Sequence, residues 1–180
     1  MNVLVPIANG SEEMEAVIII DTLRRAEFEV TVAGLTAGTI EASRGVKLVP
    51  DTTWELVDPA DFDVLLLPGG FGGTEAFMAH AGVQQALKDF DAAGKWFGCI
   101  CAAALALNEA GVLEGKRFTC YPGVEQKLPP NVQPERDPVV VDGHLITSQG
   151  PGTAFEFALK VIAECGSPNL ADEVRAGLLL

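Results

Sequence analysis

Four short apolar runs, "NVLVPIA" (2–8), "EVTVAGL" (29–35), "DVLLLP" (63–68) and "KWFGCI" (95–100), each stop abruptly at a loop of small residues. Three of the four then give way to segments of helical length, and this alternation constrains the chain more than any other feature. A strand that reads as an unbroken apolar run must be covered on both faces, which is the signature of a parallel sheet sandwiched between helices. The expected fold is therefore α/β, with a largely parallel central sheet and helices on both faces.

The connecting segments agree with this reading. Ser11 can cap a helix over residues 12–26 that opens on Glu12 and Glu13 and closes on Arg24 and Arg25, as the helix dipole favours. "TAGTIEASRGVKLVPD" suggests a small antiparallel excursion, and helices are expected over 74–80, 83–93 and 102–110. "KRFTC" reads as a further strand, "PVVVDGHLITS" as a hairpin turning at Asp142-Gly143, and residues 153–165 and 167–180 as closing helices. Neither internal repeats nor an interdomain linker interrupts residues 1–180, so one domain is expected.

Charge narrows the possible partners. Twelve Lys and Arg against 25 Asp and Glu give a net charge of -13, which repels phosphate backbones and anionic lipid heads. No apolar run approaches the roughly 20 residues that span a bilayer. The amino-terminal "MNVLVPIANGSEEMEA" lacks a basic region and reads as a first core strand rather than a secretion signal, so a cytoplasmic location is expected. Cys99, Cys101, Cys120 and Cys165 form no C-x-x-C pair, and His80 and His144 are isolated. We expect neither a disulfide framework nor a metal or other cofactor.

In open α/β sheets ligands bind at the carboxyl ends of the strands. The loops there are "NGSEEME", "PGGFGG" and "CICAAA", which offer carboxylates, unhindered backbone and a thiol. Cys101 falls where strand becomes helix, in the manner of a nucleophile elbow without its G-x-S-x-G pattern, and the first amides of the following helix are expected to depress its pKa. Cys99 is expected to pack, and Cys120 is a candidate resolving thiol. Of the three glutamates, Glu15 precedes Ile18 and Ile19 by one turn, where desolvation would keep it neutral, while Glu12 and Glu13 read as a solvated first turn. Periodicity cannot decide among them, because this helix is apolar on several faces.

Taken together, "GSEEMEAV", "RRA", "VTVAGL", "SRGVKL", "DVLLLPGG", "ICAAALAL" and "TSQGPGTAFEFAL" resemble the ThiJ/PfpI (DJ-one) superfamily, most nearly its DJ-one/YajL-like branch, over almost the whole chain. The resemblance implies a flavodoxin-like sandwich, usually a homodimer, with a reactive cysteine at Cys101 and a protonated carboxyl at Glu15. It also implies that the amides of Gly70 and Ala102 face the reacting oxygen, that Gly69 lies in the pocket, and that Arg44 reaches a neighbouring subunit's site. Two departures stand out: Tyr121 occupies a position where many relatives carry histidine, and Ala102 follows the cysteine where protease-like relatives place one.

The implied activity is cofactor-independent glyoxalase III or deglycase chemistry on small reactive carbonyls, with glycated proteins as possible substrates. The alternative is a peroxide-sensing protein or a holdase for misfolded proteins, in which Cys101 is oxidised to sulfenate or sulfinate. Peptidase action lacks its Cys-His pair, and thiamine-pathway work has no residue-level support.

Overall fold

The computed structural model describes residues 1–180, and the apolar runs become the middle of a seven-stranded sheet. In chain order the strands are β1 (Asn2–Ile7), β2 (Glu29–Gly34), β3 (Ile40–Glu41), β4 (Lys47–Leu48), β5 (Thr52–Thr53), β6 (Val64–Leu67), β7 (Trp96–Ile100), β8 (Val139–Asp142) and β9 (Leu145–Ser148). The helices are α1 (Glu13–Arg25), α2 (Phe71–Ala79), α3 (Ala81–Ala93), α4 (Ala104–Glu109), α5 (Ala154–Cys165) and α6 (Pro168–Gly177). The large sheet runs β5-β2-β1-β6-β7-β9-β8, parallel throughout except for the β8–β9 hairpin, and β3 and β4 form the expected antiparallel excursion.

Strand alternation divides the core in two. Leu4, Leu65, Leu67 and Phe97 face one layer, with α2, α3 and α4, whereas Val3, Val5, Val64 and Leu66 face the other, with α1, α5 and α6. All eight are at most 1% exposed, and each contributes about 1.5–3 kcal/mol of burial. Cys101, at the carboxyl end of β7 beside the central strand β6, borders both layers. No helix is long and apolar enough to cross a membrane.

Several local expectations are corrected. Ser11 does not cap α1: its hydroxyl is fully buried and turns back to accept from the Ala8 N–H at 3.1 Å, and Glu12 occupies the cap position without a side-chain capping bond. A Cβ at Gly73 would lie 2.4 Å from that hydroxyl, so close packing of α2 holds Ser11 in place. α2 starts at Phe71, directly after Gly70, and α3 starts at Ala81, where the His80 imidazole accepts from the Val83 N–H. "KRFTC" is not a strand. It makes one isolated bridge, Thr119 to Glu135, because the Thr119 N–H bonds to the Thr147 hydroxyl instead of entering a ladder.

Candidate active site

Three loops converge at the carboxyl end of the parallel strands. After β7 the chain turns at Cys101 with φ +65°, a left-handed conformation that costs a side-chain-bearing residue on the order of 1 kcal/mol or more. A tight 3₁₀ turn over Cys101–Ala103 leads into α4, and Ala102, Ala103 and Ala104 fit there because each is essentially fully buried. Small side chains thus allow the sharp elbow that lifts the thiol out of the strand.

The loop after β6 closes over this elbow. The Gly69 N–H donates to Glu15 Oε2 at 2.7 Å, and the Gly69 carbonyl accepts from the Glu12 N–H at 2.9 Å. A Cβ at Gly69 would stand 2.6 Å from the Cys101 Cβ and 2.7 Å from Glu15 Oε2, so only glycine lets the loop pass between thiol and carboxyl. Gly70 has φ +84°, and a side chain there would collide with the backbone of Gly10, Ser11 and Glu12. Its N–H and that of Ala102 are the amides that favour a charged Cys101 sulfur.

Glu15 is completely buried beneath these loops. Burial raises its pKa to about 7, against the opposing pull of the hydrogen bonds from Gly69 and Cys101. Its second oxygen, Oε1, is buried with no hydrogen-bond partner. Cys101 is also raised, to about 12, first by burial and then by the charge of Glu15, while the Ala102 and Gly70 amides pull in the opposite direction. This overturns the expectation of a depressed thiol: the helix amides act as anticipated, but desolvation and the facing carboxylate outweigh them. Thiol and carboxyl therefore titrate as a pair, releasing one proton near neutrality and the next far above it.

Glu13, expected in solvent, is only 6% exposed. Burial pushes it upward, but hydrogen bonds from its own N–H, the Ser43 hydroxyl and the Arg44 N–H hold it below the usual carboxylate range. The Ser43 hydroxyl lies 2.8 Å from both Glu12 and Glu13, fastening the β3–β4 hairpin to the start of α1. Nothing in the spacing of Ser43 signalled this bond. Arg44 is exposed, and its guanidinium bonds only to the Ser43 carbonyl, so within one chain it does not enter the Cys101 pocket.

Tyr121 donates its N–H to the Cys101 carbonyl at 3.3 Å, and its half-exposed ring lies against Gly150. Cys99 is fully buried on β7 and burial drives its thiol well up, with Cys120 and Cys101 as electrostatic neighbours. Cys120 is buried and raised to about 11, by burial and then by Glu125. Both imidazoles lie elsewhere: His80 stands edge-on to Trp54 and His144 edge-on to Trp96. No group of three or more His, Cys, Asp or Glu side chains is arranged to hold a metal ion.

Comparison with known proteins places this geometry in context. The DJ-1/PfpI family profile matches residues 1–164. Protein dj-1beta of Drosophila melanogaster is 45% identical over 179 residues, covering 98% of this chain and 96% of the relative. The solved structure of oxidised Toxoplasma gondii DJ-1 superposes with a TM-score of 0.94 at 38% identity, covering 99% of this chain and 97% of that one. A glutathione-independent glyoxalase of Caenorhabditis elegans, DJR-1.2, is 32% identical over 94% of this chain and 91% of its own length.

Proposed function

This chain belongs to the DJ-1/PfpI family, and from that premise we propose that it is a cofactor-independent, cysteine-dependent enzyme acting on small reactive carbonyls, of the glyoxalase III or deglycase type. The observation that carries the reading is the pairing of a strained Cys101 with a buried Glu15 whose pKa lies at about 7. The name of the similar nematode glyoxalase supports the same chemistry.

At neutral pH the pair shares one proton in part of the population. When it resides on Glu15, Cys101 is a thiolate facing the Gly70 and Ala102 amides. Attack on the aldehyde carbon of methylglyoxal forms the C–S bond, and the resulting alkoxide, steadied by those amides, takes the proton from Glu15 to give a hemithioacetal. The Glu15 carboxylate then removes the proton from the former aldehyde carbon and returns it to the neighbouring carbon, while the hydroxyl proton passes to the former ketone oxygen, so the ketone is reduced as the aldehyde is oxidised. The product is a lactoyl thioester. Water hydrolyses it, releasing lactate and a proton and restoring the thiol, so that methylglyoxal plus water gives lactate plus a proton with no external oxidant. Glycated side chains are an extension of the same attack.

Lactate formation without glutathione is expected from the wild type and lost in Cys101→Ala, with Glu15→Gln reduced at least about 100-fold. Lactate formation unchanged in Cys101→Ala overturns the assignment. The homodimer and the cytoplasmic location belong to the same proposal. Exposed Met14 and Val17 on α1, with Val46 beside β4, support a self-associating face from which Arg44 could reach a second site.

A second reading makes Cys101 a peroxide sensor. The partnerless Glu15 Oε1 favours it, since a protonated carboxyl there could donate to an oxygen added to the sulfur. Intact mass after limited peroxide should then show oxygen on Cys101 in preference to Cys99, Cys120 and Cys165, while equal oxidation of all four excludes a sensor.

A further inference from the structure

Away from Cys101, a groove of about 410 Å³ runs between α3 and the Trp54–Ala60 segment, within the range of ordinary small-molecule sites. Trp54 forms one wall and is only 6% exposed, while Phe90 borders the groove from within the core. The Trp54 indole N–H makes no hydrogen bond within the chain, yet it is not sealed from the groove. It is left open by Gly82: a Cβ at that position would stand 2.6 Å from the indole nitrogen. Neighbouring His80 offers no ready acceptor, because its Nδ1 already accepts from Val83 and its ring stands edge-on at 5.7 Å.

The charges lining the groove are unequal. Asp58 uses one oxygen to accept from the Ala60 N–H, and Asp89 uses one to accept from the Gln85 side chain, leaving each a second oxygen. Lys95, the one lining cation, is committed to the carbonyls of Ala60 and Phe62 and lies over the Phe90 ring. The groove thus combines a net negative rim, one aromatic wall and an unused indole donor. An organic anion would meet two carboxylates, and a purely apolar molecule would leave the indole N–H unmatched.

We infer that this groove is a binding site for a small organic ammonium ion that carries a hydrogen-bond acceptor on an apolar body. The ammonium lies at Asp58 and Asp89, the body against Trp54, and the acceptor on the indole N–H. The site involves neither Cys101 nor Glu15 and stands whether or not the carbonyl chemistry does.

The test follows the two indole N–H signals of the ¹⁵N-labelled full chain, from Trp54 and Trp96, during titration with 4-methoxybenzylamine up to about 10 mM. A saturating shift confined to Trp54 is expected. Removing the acceptor with 4-methylbenzylamine should weaken binding about fivefold, as should the surface substitution Asp58→Asn/Asp89→Asn, and 4-methoxybenzoate should leave the signal in place. Gly82→Ala, which covers the indole nitrogen, should abolish the response. The site is overturned if Trp54 shows no saturating shift, if the benzoate binds as well as the amine, or if neither the methyl probe nor the Asn pair weakens binding.

Discussion

Substituting Glu15 by Gln should make stability less dependent on pH, by an amount the structure sets. The carboxyl titrates at 4.5 in its unperturbed state and at about 7 in the folded chain, chiefly because burial disfavours its charge. Between those values the folded protein binds more protons than the unfolded one. The contribution is therefore fully present below about pH 4.5 and is lost as pH rises through about 7, a difference of about 3 kcal/mol in all. The sequence pI is about 4.4, so pH 5 is a workable lower limit. Evaluating the same two-pKa expression from pH 5 to pH 8.5 leaves about 2.5 kcal/mol.

Gln is isosteric and its carbonyl can still accept from the Gly69 N–H, so the two proteins should be similar in stability at pH 5 and the variant should lead by about 2.5 kcal/mol at pH 8.5. Urea denaturation of both proteins at both pH values measures this as a double difference, in which the other acidic groups cancel. Repeating it in a Cys101→Ala background removes the coupled thiol. A wild-type-to-variant difference constant within about 0.5 kcal/mol across that range would refute the claim that Glu15 is buried with a raised pKa.

Alkylation of Cys101 by iodoacetamide should rise with a single inflection near pH 7, where the pair loses its first proton, and Glu15→Gln should displace that inflection; an inflection near the free thiol's ~8.5 in the wild type shows that the two groups do not couple. Gly69→Ala should cost about 1–3 kcal/mol in urea and sharply slow that alkylation, because its Cβ would overlap both Cys101 and Glu15; a variant with wild-type stability and reactivity contradicts the close approach. Ser11→Ala leaves the Ala8 N–H unmatched and should cost about 1–2 kcal/mol in urea; a loss under about 0.5 kcal/mol contradicts a buried bond from Ala8 to the hydroxyl.

The strands were legible because a sheet buried on both faces writes itself as continuous apolar runs, and the β8–β9 hairpin because Gly143 supplies the positive φ, +57°, that its turn needs; the turn residues are Gly143 and His144, one position later than the expected Asp142-Gly143, since Asp142 pairs with Leu145. The site was legible only in part. Cys101 announced itself by standing at the junction of strand and helix, yet the direction of its pKa did not follow from that position, since the opposing charge comes from Glu15, 86 residues earlier. The fate of the three glutamates was equally hidden. α1 has apolar residues both in the core, such as Ala16 and Ile19, and on the surface, such as Met14 and Val17, so no periodicity separates Glu13 from Glu15. Ser11 obeyed a sound capping rule until tertiary packing against Gly73 overrode it.

What distinguishes the Cys101 pocket from the rest of the chain is the accumulation of locally unfavourable choices in one place. Glu27 also has positive φ, but it follows the end of α1, where a left-handed residue completes the helix terminus. Cys101 terminates no helix, and its conformation has no such local reward. A carboxyl without a partner for one oxygen lies against it, and two glycines are required by contacts that any side chain would break. The elbow and Glu15 together account for about 4 kcal/mol near pH 8, a substantial share of the roughly 5–15 kcal/mol by which a domain is stable. Cys99 shows that none of this is needed to bury a thiol at this point in the sheet: two residues earlier it packs in ordinary strand geometry. The strain is therefore tied to presenting the Cys101 sulfur to Glu15 and the two amides, which is the arrangement nucleophilic chemistry needs and packing alone does not.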